Sequence, residues 1–317
     1  MSVTLVMRPQ DVPLTWQQFV EKWGPYSIAI DGYVADRPIL DSRLPAVNLN
    51  HHENVSRLET RATCAQAHLE IQLGLFKLFR KKGEPEARIF ANDCDEDVCL
   101  TWYLLKHGWV AESIINPRLN KLVGLVDRLD TCAGMFPFSV DMPILGELAW
   151  VFEPYRRFRV NGGLETRSSE AFTDVVTNVC NRIERFIVGE NESIILDTRY
   201  RILNRGIDWA MIEEIGPYGR QGALADGIRA FISAKHRNNG RWSYSVCRVS
   251  ELIPFPVQAI LAECSCREDN PLDPWGGGTT IGGSGRKNGS RLTPAEVFKI
   301  SEEEILRFNV QAVEVPV

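Results

Sequence analysis

The chain of 317 residues has neither a long apolar segment nor a surplus of positive charge. Its longest apolar runs, such as 253–261, are interrupted by proline and fall far short of the roughly 20 residues that a spanning helix needs. Residues 1–10 lack the pattern of a secretory signal. With 36 basic and 41 acidic residues, the formal charge of −5 excludes a general attraction to long nucleic acid. We therefore expect a cytoplasmic protein with no membrane role.

Paired cysteines and histidines that would mark common metal or disulfide frameworks are also missing. None of the eight cysteines forms a CxxC pair, and a chain of this length needs no disulfides to fold, so we predict reduced, mostly buried thiols. An HD-type metal hydrolase needs a His-Asp pair on a helix, and neither His68 nor His107 has an acidic neighbour. No internal repeat is evident, and the glycine-rich tract over 275–290 is the one low-complexity segment.

The first half of the chain alternates short apolar runs with helical periodicity. Residues 26–30, 46–50 and 88–91 have the composition of strands. Apolar residues recur at helical spacing over 60–79, and a second helix begins in the acidic cluster at 93–97. Strands separated by helices favour a parallel sheet. Polar clusters follow three of these strands, at the sheet edge where ligands of α/β proteins bind.

The second half begins with a long amphipathic helix over 167–187, which we interpret as a connector between lobes. We expect a strand near 193–197, a helix near 222–234, and strands or short helices over 242–249 and 256–264. The predicted architecture is α/β, with a parallel-sheet N-terminal lobe (1–160), a connecting helix (161–190) and a smaller α/β C-terminal lobe (191–317).

The densest polar cluster carries four carboxylates, at Asp93, Asp95, Glu96 and Asp97. Such groups repel one another, so either solvent disperses them or a cation gathers them. On an extended strand end Asp93 and Asp95 point to one face, and Asp97 suits the start of the following helix. Hard divalent cations such as Mg²⁺ or Mn²⁺ prefer these oxygen ligands. The alternative is an acidic turn that caps a helix.

Two adjacent histidines, His51 and His52, follow the second strand between Asn50 and Glu53. Neighbours on a strand end point in opposite directions, so we expect one of the two to face a given metal. Imidazole shifts the metal preference from Mg²⁺ toward Mn²⁺, Fe²⁺ or Co²⁺. The alternative is a solvated loop with two surface histidines.

The succession of these motifs resembles the DHH phosphoesterase superfamily, which includes nano-RNases and manganese-dependent pyrophosphatases. Asp93–Asp97 before an apolar helix resembles the family's DxDxD motif, and Asn50–His52 stands where the family has Asp-His-His. Asp31 resembles the strand-end aspartate that precedes that motif, and Asp127, or else Asp130, resembles the last metal-ligand aspartate. The order is permuted, because the acidic motif follows the histidines instead of preceding them.

The resemblance implies a site for Mn²⁺, or for another divalent cation such as Mg²⁺, Fe²⁺ or Co²⁺. Its predicted metal ligands are Asp31, Asn50, His51, Asp93, Asp95, Asp97 and Asp127. Asn50 replaces a carboxylate of the family, which weakens one metal position. His52 is expected to bind the phosphoryl group or assist the leaving group, and Asp95 is the second predicted catalytic residue.

A glycine-rich tract with nearby cations resembles the substrate loop of the DHH-associated C-terminal domain. Glycines let backbone N–H groups approach an anion closely, and Arg286, Lys287 and Arg291 add positive charge. The alternative is a flexible surface loop. The predicted substrate-binding residues are Gly276, Gly277, Gly278, Gly282, Gly283, Ser284, Arg286, Arg291 and His236.

These features together predict a divalent-metal-dependent hydrolase acting on a small phosphorylated substrate or a short oligonucleotide. A homodimer is compatible with the sequence. Two alternatives stay open. One is a nucleotide sensor with weak catalysis on the same scaffold, and the other is a metal-dependent hydrolase of a non-phosphate substrate, because the same chemistry attacks esters and amides.

Overall fold

The computed structural model describes residues 2–108 and 116–313, the last three of them by backbone alone. Each of two compact units contains a sheet that combines parallel and antiparallel pairs. The predicted α/β class with a parallel sheet near the N-terminus is confirmed. The units are Met1–Thr131 with Pro143–Ile194, and Cys132–Met142 with Ile195–Val317.

The sheet of the first unit is built on four parallel strands in the order β1-β6-β2-β4, with β3 added antiparallel to β4 and β5 antiparallel to β6. Its strands β2 and β4 are buried along their whole length, which explains why most of their residues are apolar. The strands are β1 (Ser2–Met7), β2 (Ser27–Ile30), β3 (Ile39–Asp41), β4 (Ala46–Leu49), β5 (Arg80–Lys81) and β6 (Glu84–Ala91).

Eight helices are described in the first unit, and their limits follow local signals. Thr15 begins α1 with a capping box, Gly74 ends α2 with a left-handed conformation, and Asp95 caps α4. The helices are α1 (Trp16–Trp23), α2 (Thr63–Leu73), α3 (Leu75–Leu78), α4 (Glu96–His107), α5 (Pro117–Thr131), α6 (Pro143–Val151), α7 (Glu153–Val160) and α8 (Ser169–Ile187).

The long helix α8 packs inside the first unit, whereas the sequence suggested a connector over 161–190. Its apolar face, which includes Phe172 and Ile183, is buried in contact with β1, α4 and α7. The chain crosses to the second unit at Cys132–Met142 and again after Ile194, so the boundaries differ from those expected. An amphipathic pattern shows that a helix buries one face, but it does not show which unit covers that face.

The sheet of the second unit has the order β11-β12-β10-β9-β8-β7, in which β8 and β9 are parallel and the other neighbours antiparallel. Apolar clusters cover both of its faces, one around Ile232 and Val246 and the other around Phe231 and Ala223. Its elements are β7 (Tyr200–Arg205), β8 (Ala210–Glu214), α9 (Gly219–Ala225), β9 (Ala230–His236), β10 (Trp242–Arg248), α10 (Val257–Glu268), β11 (Gly276–Gly277), β12 (Ile281–Gly283) and α11 (Pro294–Val313).

Two local predictions for the second half are wrong. The expected strand over 193–197 has no regular structure. The expected helix over 222–234 is instead the end of α9 followed by β9, because Gly227 takes a φ of 90° between them. The cysteine prediction is confirmed, since all eight are free and Cys266 alone is exposed. No helix among the described residues is long and apolar enough to span a membrane.

The carboxyl ends of β2, β4 and β6 lie side by side at one edge of the first sheet. The chain passes from β2 to β4 on one side and reaches β6 on the other side of β2. Such a change of direction leaves a crevice beyond the strand ends, where α/β proteins bind ligands. Asp31, Asn50 and Asn92 directly follow the three strands.

Candidate metal centre

Acidic and histidine side chains converge beyond the strand ends of the first unit. Nε2 of His51 lies 2.7 Å from Oδ2 of Asp130 and 3.4 Å from Oδ1 of Asp31. Nε2 of His52 lies 2.7 Å from the same Asp31 oxygen. Among the described residues these side chains form two groups that could hold a metal ion, Asp31 with His51 and His52, and His51 with Asp97 and Asp130.

Both histidines reach Asp31, although the sequence led us to expect only one to face a metal. Their rings lie 4.3 Å apart. The chain leaves the extended conformation directly after β4, because Oδ1 of Asn50 accepts hydrogen bonds from the backbone N–H groups of His51 at 2.8 Å and His52 at 3.1 Å. The strand alternation assumed for adjacent residues does not hold once the backbone bends.

Asn50 shapes the turn and is not available as a metal ligand, which corrects the prediction. Its amide nitrogen donates to the carbonyl oxygens of Val34 at 3.2 Å and Asp36 at 2.7 Å, and to Oε2 of Glu53 at 2.6 Å. The side chain is completely buried. Because three acceptors surround the nitrogen and two donors surround the oxygen, this position requires an amide and not a carboxylate.

Asp97 and Asp127 cap the beginning of α2 from other parts of the chain. The N-cap residue Ala62 has no side-chain oxygen, and the carboxylate of Asp97 accepts from the N–H groups of Thr63 at 2.7 Å and Cys64 at 2.8 Å. Asp127 accepts from the N–H of Ala62 at 2.8 Å. Both aspartates thus satisfy helix donors that would otherwise be unpaired. Asp97 also lies 4.0 Å from Nε2 of His51, so it borders the metal group.

Asp130, which the sequence gave as the alternative to Asp127, is the α5 carboxylate that reaches His51. Both aspartates lie on one face of α5 at i, i+3 spacing. The guanidinium of Arg57 donates to the backbone oxygen of Asp130 at 3.2 Å and lies 3.9 Å from its carboxylate. Sequence reasoning missed Arg57, since its one signal is its position in the loop after the histidines.

Asp93 and Asp95 face the same cluster but belong to neither metal group formed by the described residues. Asp95 accepts from the N–H of Val98 at 2.9 Å and begins α4, and Asp93 accepts from the N–H of Cys94 at 2.6 Å. Burial, reinforced by the charge on Asp31, raises the pKa of both carboxyls. The acidic motif therefore serves first as a helix cap and second as a source of negative charge beside Asp31.

The acidic and histidine side chains beyond the strand ends are buried, and burial disfavours their charged forms. Burial disfavours a charged His51, but the carboxylates of Asp130 and Asp31 outweigh it and raise the pKa of His51 to about 10. Burial and the charges of Asp130 and Asp31 raise the pKa of Asp97 to about 7. Burial also opposes ionisation of Asp31, yet its close contacts with the rings of His51 and His52 hold the pKa of Asp31 below its ordinary range. Positive charge placed among these carboxylates would therefore favour their ionised forms.

Unsatisfied buried atoms show that these residues fit a divalent cation. Both ring nitrogens of His51 and Oδ2 of Asp130 are buried without a hydrogen-bond partner among the described residues, because the close Nε2–Oδ2 contact lacks hydrogen-bond direction. Leaving such a group unpaired costs about 1–3 kcal/mol. Neighbouring ligands of an octahedral cation are about 3 Å apart. The contacts of 2.7 to 3.4 Å around His51 match that spacing.

The glycine-rich tract of the second unit is a β-hairpin and not a flexible loop. β11 pairs with β12, and β12 with β10. A Cβ on Gly277 would lie 2.2 Å from Cα of Gly282, and one on Gly283 would lie 2.2 Å from the carbonyl oxygen of Tyr244. Close strand approach therefore explains these glycines. Gly276 and Gly278 are exposed, and a Cβ would meet open space at Gly276 and an ordinary contact of 3.7 Å with the carbonyl oxygen of Ile281 at Gly278.

The other predicted substrate-binding residues lie in the second unit, and most are engaged there. Ser284 accepts from the N–H of Tyr244 at 3.0 Å, and Arg291 donates to the backbone oxygen of Glu268 at 2.6 Å. The ring of His236 stands edge-on to Trp242, with centroids 5.0 Å apart. Arg286 is exposed.

The chain matches no protein-family model, no curated protein and no solved structure. The resemblance to the DHH superfamily therefore stays a prediction that rests on the motif residues and not on overall similarity.

Proposed function

We propose that the first unit is a divalent-metal-dependent hydrolase of phosphoesters. The observation that carries the proposal is the buried His51, which belongs both to the group with Asp31 and His52 and to the group with Asp97 and Asp130. Its Nε2 approaches Oδ2 of Asp130 at 2.7 Å without a hydrogen bond. We propose Mn²⁺ as its cation, because imidazole and carboxylate together favour Mn²⁺ over Mg²⁺. His52 completes the group with Asp31, and Asp97 completes the group with Asp130.

A divalent cation bound there would polarise water and offset the growing charge on a phosphoryl oxygen. Asp31 and Asp130 both approach Nε2 of the buried His51, so these three side chains are gathered before any substrate arrives. Arg57 adds a positive charge 3.9 Å from the same Asp130 oxygen that approaches His51, and we propose that it limits the repulsion between that carboxylate and an anionic substrate.

His52 is the residue of this cluster that we propose to contact substrate. About a third (34%) of its side chain is exposed, whereas His51 is completely buried. Asp31 holds Nε2 of His52 at 2.7 Å and so sets the orientation of its ring. We propose that His52 carries the proton delivered to the leaving oxygen. Asp95, with Asp93, is the carboxylate that we propose to take up the proton of the attacking water.

The substrate class that we propose is a small phosphorylated molecule or a short oligonucleotide. The experiment combines elemental analysis of the purified protein with hydrolysis of bis(p-nitrophenyl) phosphate and dinucleotides in added Mn²⁺. We expect one or two equivalents of bound metal and a loss of about 100-fold or more in turnover for His51→Ala. His68→Gln, a change on α2 outside these groups, is the matched control. Undiminished turnover by His51→Ala would show that another site carries any hydrolysis.

A sensor that binds a nucleotide without metal is the second candidate, and Asn50 is the observation that favours it. The amide is held by five hydrogen bonds, so this position supplies no carboxylate to a second cation. Protein that carries no metal after purification in Mn²⁺, yet binds nucleotides, would support this candidate over the hydrolase.

A further inference from the structure

Two basic loops meet at one end of the second unit's sheet. The turn over 237–241 joins β9 to β10, and the loop over 284–290 follows β12. The guanidinium of Arg237 donates to the carbonyl oxygens of Arg286 and Lys287, each at 3.0 Å. The two loops therefore form one continuous surface, which we name the two-loop surface.

The backbone of the two-loop surface is fixed from several directions. Trp242 and Ser290 exchange backbone hydrogen bonds of 2.9 and 2.7 Å, and the carboxylate of Asp273 accepts from the N–H of Asn288 at 2.7 Å. Gly289 has a φ of 71°, and a Cβ there would lie 2.6 Å from the carbonyl oxygen of Trp242. A ligand that binds this surface would have little backbone to order, which favours affinity.

Four cations on or beside these loops form no salt bridge within the described part of the chain, although the carboxylate of Asp273, which accepts from the N–H of Asn288, lies near Lys287 and Arg237. The four cations are the exposed Lys235, Arg286 and Lys287 and the half-buried Arg241. Among the described residues, no carboxylate oxygen lies within 4.0 Å of their side-chain nitrogens. Several other arginines of the unit are paired with carboxylates, as in Arg199–Asp197 at 2.7 Å and Arg220–Glu214 at 3.0 Å. Since the whole chain has a charge of −5, this local excess of positive charge does not reflect its composition.

Aromatic rings border the cations. The exposed ring of His236 stands edge-on to Trp242 at 5.0 Å, and Trp242 stacks on Tyr244 at 6.3 Å. Trp242 is half-buried, so its ring is supported from below while one part stays accessible. Proteins that bind single strands combine cations for the backbone with ring faces on which bases stack.

We propose that the two-loop surface binds single-stranded nucleic acid. Arg241, Arg286 and Lys287 contact successive phosphates, and a base packs against His236 and Trp242. An acidic peptide offers no planar group for the rings. An anionic membrane would be met by large apolar side chains, and the segments 237–241 and 284–290 contain none. The inference does not depend on hydrolysis by the first unit.

The test is fluorescence anisotropy of labelled single-stranded RNA and DNA of about ten nucleotides with the full chain, over a range of salt concentrations. We expect the double variant Arg286→Gln/Lys287→Gln to weaken binding by about tenfold or more and to reduce the slope of log affinity against log salt by about 0.7 for each lost phosphate contact. His236→Ala should weaken binding without changing that slope. Lys299→Gln, an exposed lysine on α11, should leave both quantities unchanged.

Two further measurements separate this inference from other outcomes. His51→Ala should bind the oligonucleotide like the native chain, so loss of hydrolysis and loss of binding are distinguishable. Absence of binding at low salt would overturn the proposal, as would equal competition by polyglutamate or by phosphatidylglycerol vesicles. Equal affinity of the native chain and the double variant, with unchanged circular dichroism, would overturn it as well.

Discussion

Oδ2 of Asp130 lies 2.7 Å from Nε2 of His51, and this contact joins the last turn of α5 to the end of β4. Asp127, one helical turn earlier on the same face, contacts the start of α2 instead. Two aspartates three residues apart thus divide between a structural task and the candidate metal group. Their separation makes the assignment testable with a matched pair of variants.

Asp130→Asn should lower metal affinity, whereas Asp127→Asn should lower stability. Loss of the Asp130 carboxylate should lower Mn²⁺ affinity by about 10- to 100-fold, because it removes a ligand of the cluster. Asp127→Asn should lower the free energy of unfolding by about 0.5–2 kcal/mol, because a charged cap acceptor is weakened, and should leave Mn²⁺ affinity unchanged. Titration calorimetry and urea unfolding measure the two quantities. Equal loss of affinity in both variants would contradict the assignment of Asp130.

Asn50→Asp should destabilise the chain and not restore a metal ligand. The carboxylate oxygen that replaces the amide nitrogen would face three acceptors and no donor. These acceptors are the carbonyl oxygens of Val34 and Asp36 and the carboxylate of Glu53. We expect the free energy of unfolding to fall by about 2–4 kcal/mol, measured by urea unfolding. Adding Glu53→Gln should recover part of that loss, because an amide can donate to the new carboxylate. A more stable Asn50→Asp variant with higher Mn²⁺ affinity would contradict this account.

The parallel sheet could be predicted from the sequence because its strands are buried on both faces. The apolar runs at 26–30, 46–50 and 88–91 correspond to β2, β4 and the end of β6. The position of Asp31 and His51 beyond the strand ends follows from that order, since parallel strands bring their carboxyl ends to one edge. Local pattern and topology were therefore sufficient to predict where Asp31 and His51 lie.

The remaining parts depend on contacts between distant segments, which local patterns do not contain. Whether Asp127 or Asp130 reaches His51 depends on how α5 packs on α2. The two aspartates lie on the same face of α5, so the helical pattern does not distinguish them. The role of Asn50 depends on Val34 and Asp36, which fold back against it from the loop between β2 and β3. The glycine tract looked like a loop because glycine content does not distinguish mobility from close strand packing.

Glu70 should make stability fall as pH rises. One carboxylate oxygen is buried with no hydrogen-bond partner among the described residues, and burial raises the pKa of Glu70 from 4.5 to about 7. Between these values the folded state binds more protons than the unfolded state, so its stabilising contribution is present below pH 4.5 and lost as pH rises through 7. Glu70→Gln should therefore be more stable than the native chain at pH 8 by about 1 kcal/mol or more, and this gain should shrink at about pH 5. Urea unfolding at both values, with the exposed Glu59→Gln as control, tests the difference.

Gly283→Ala and Gly278→Ala should separate packing from ligand binding in the glycine hairpin. A methyl group on Gly283 would meet the carbonyl oxygen of Tyr244 at 2.2 Å, and the backbone of β10 must move to admit it. We expect its free energy of unfolding to fall by about 1–3 kcal/mol. Gly278 is exposed, and a methyl group there would have the carbonyl oxygen of Ile281 as its nearest neighbour at 3.7 Å, so Gly278→Ala should unfold like the native chain. If Gly278→Ala instead abolished hydrolysis while the fold stayed intact, the hairpin would bind substrate through its exposed backbone, as the family resemblance implies.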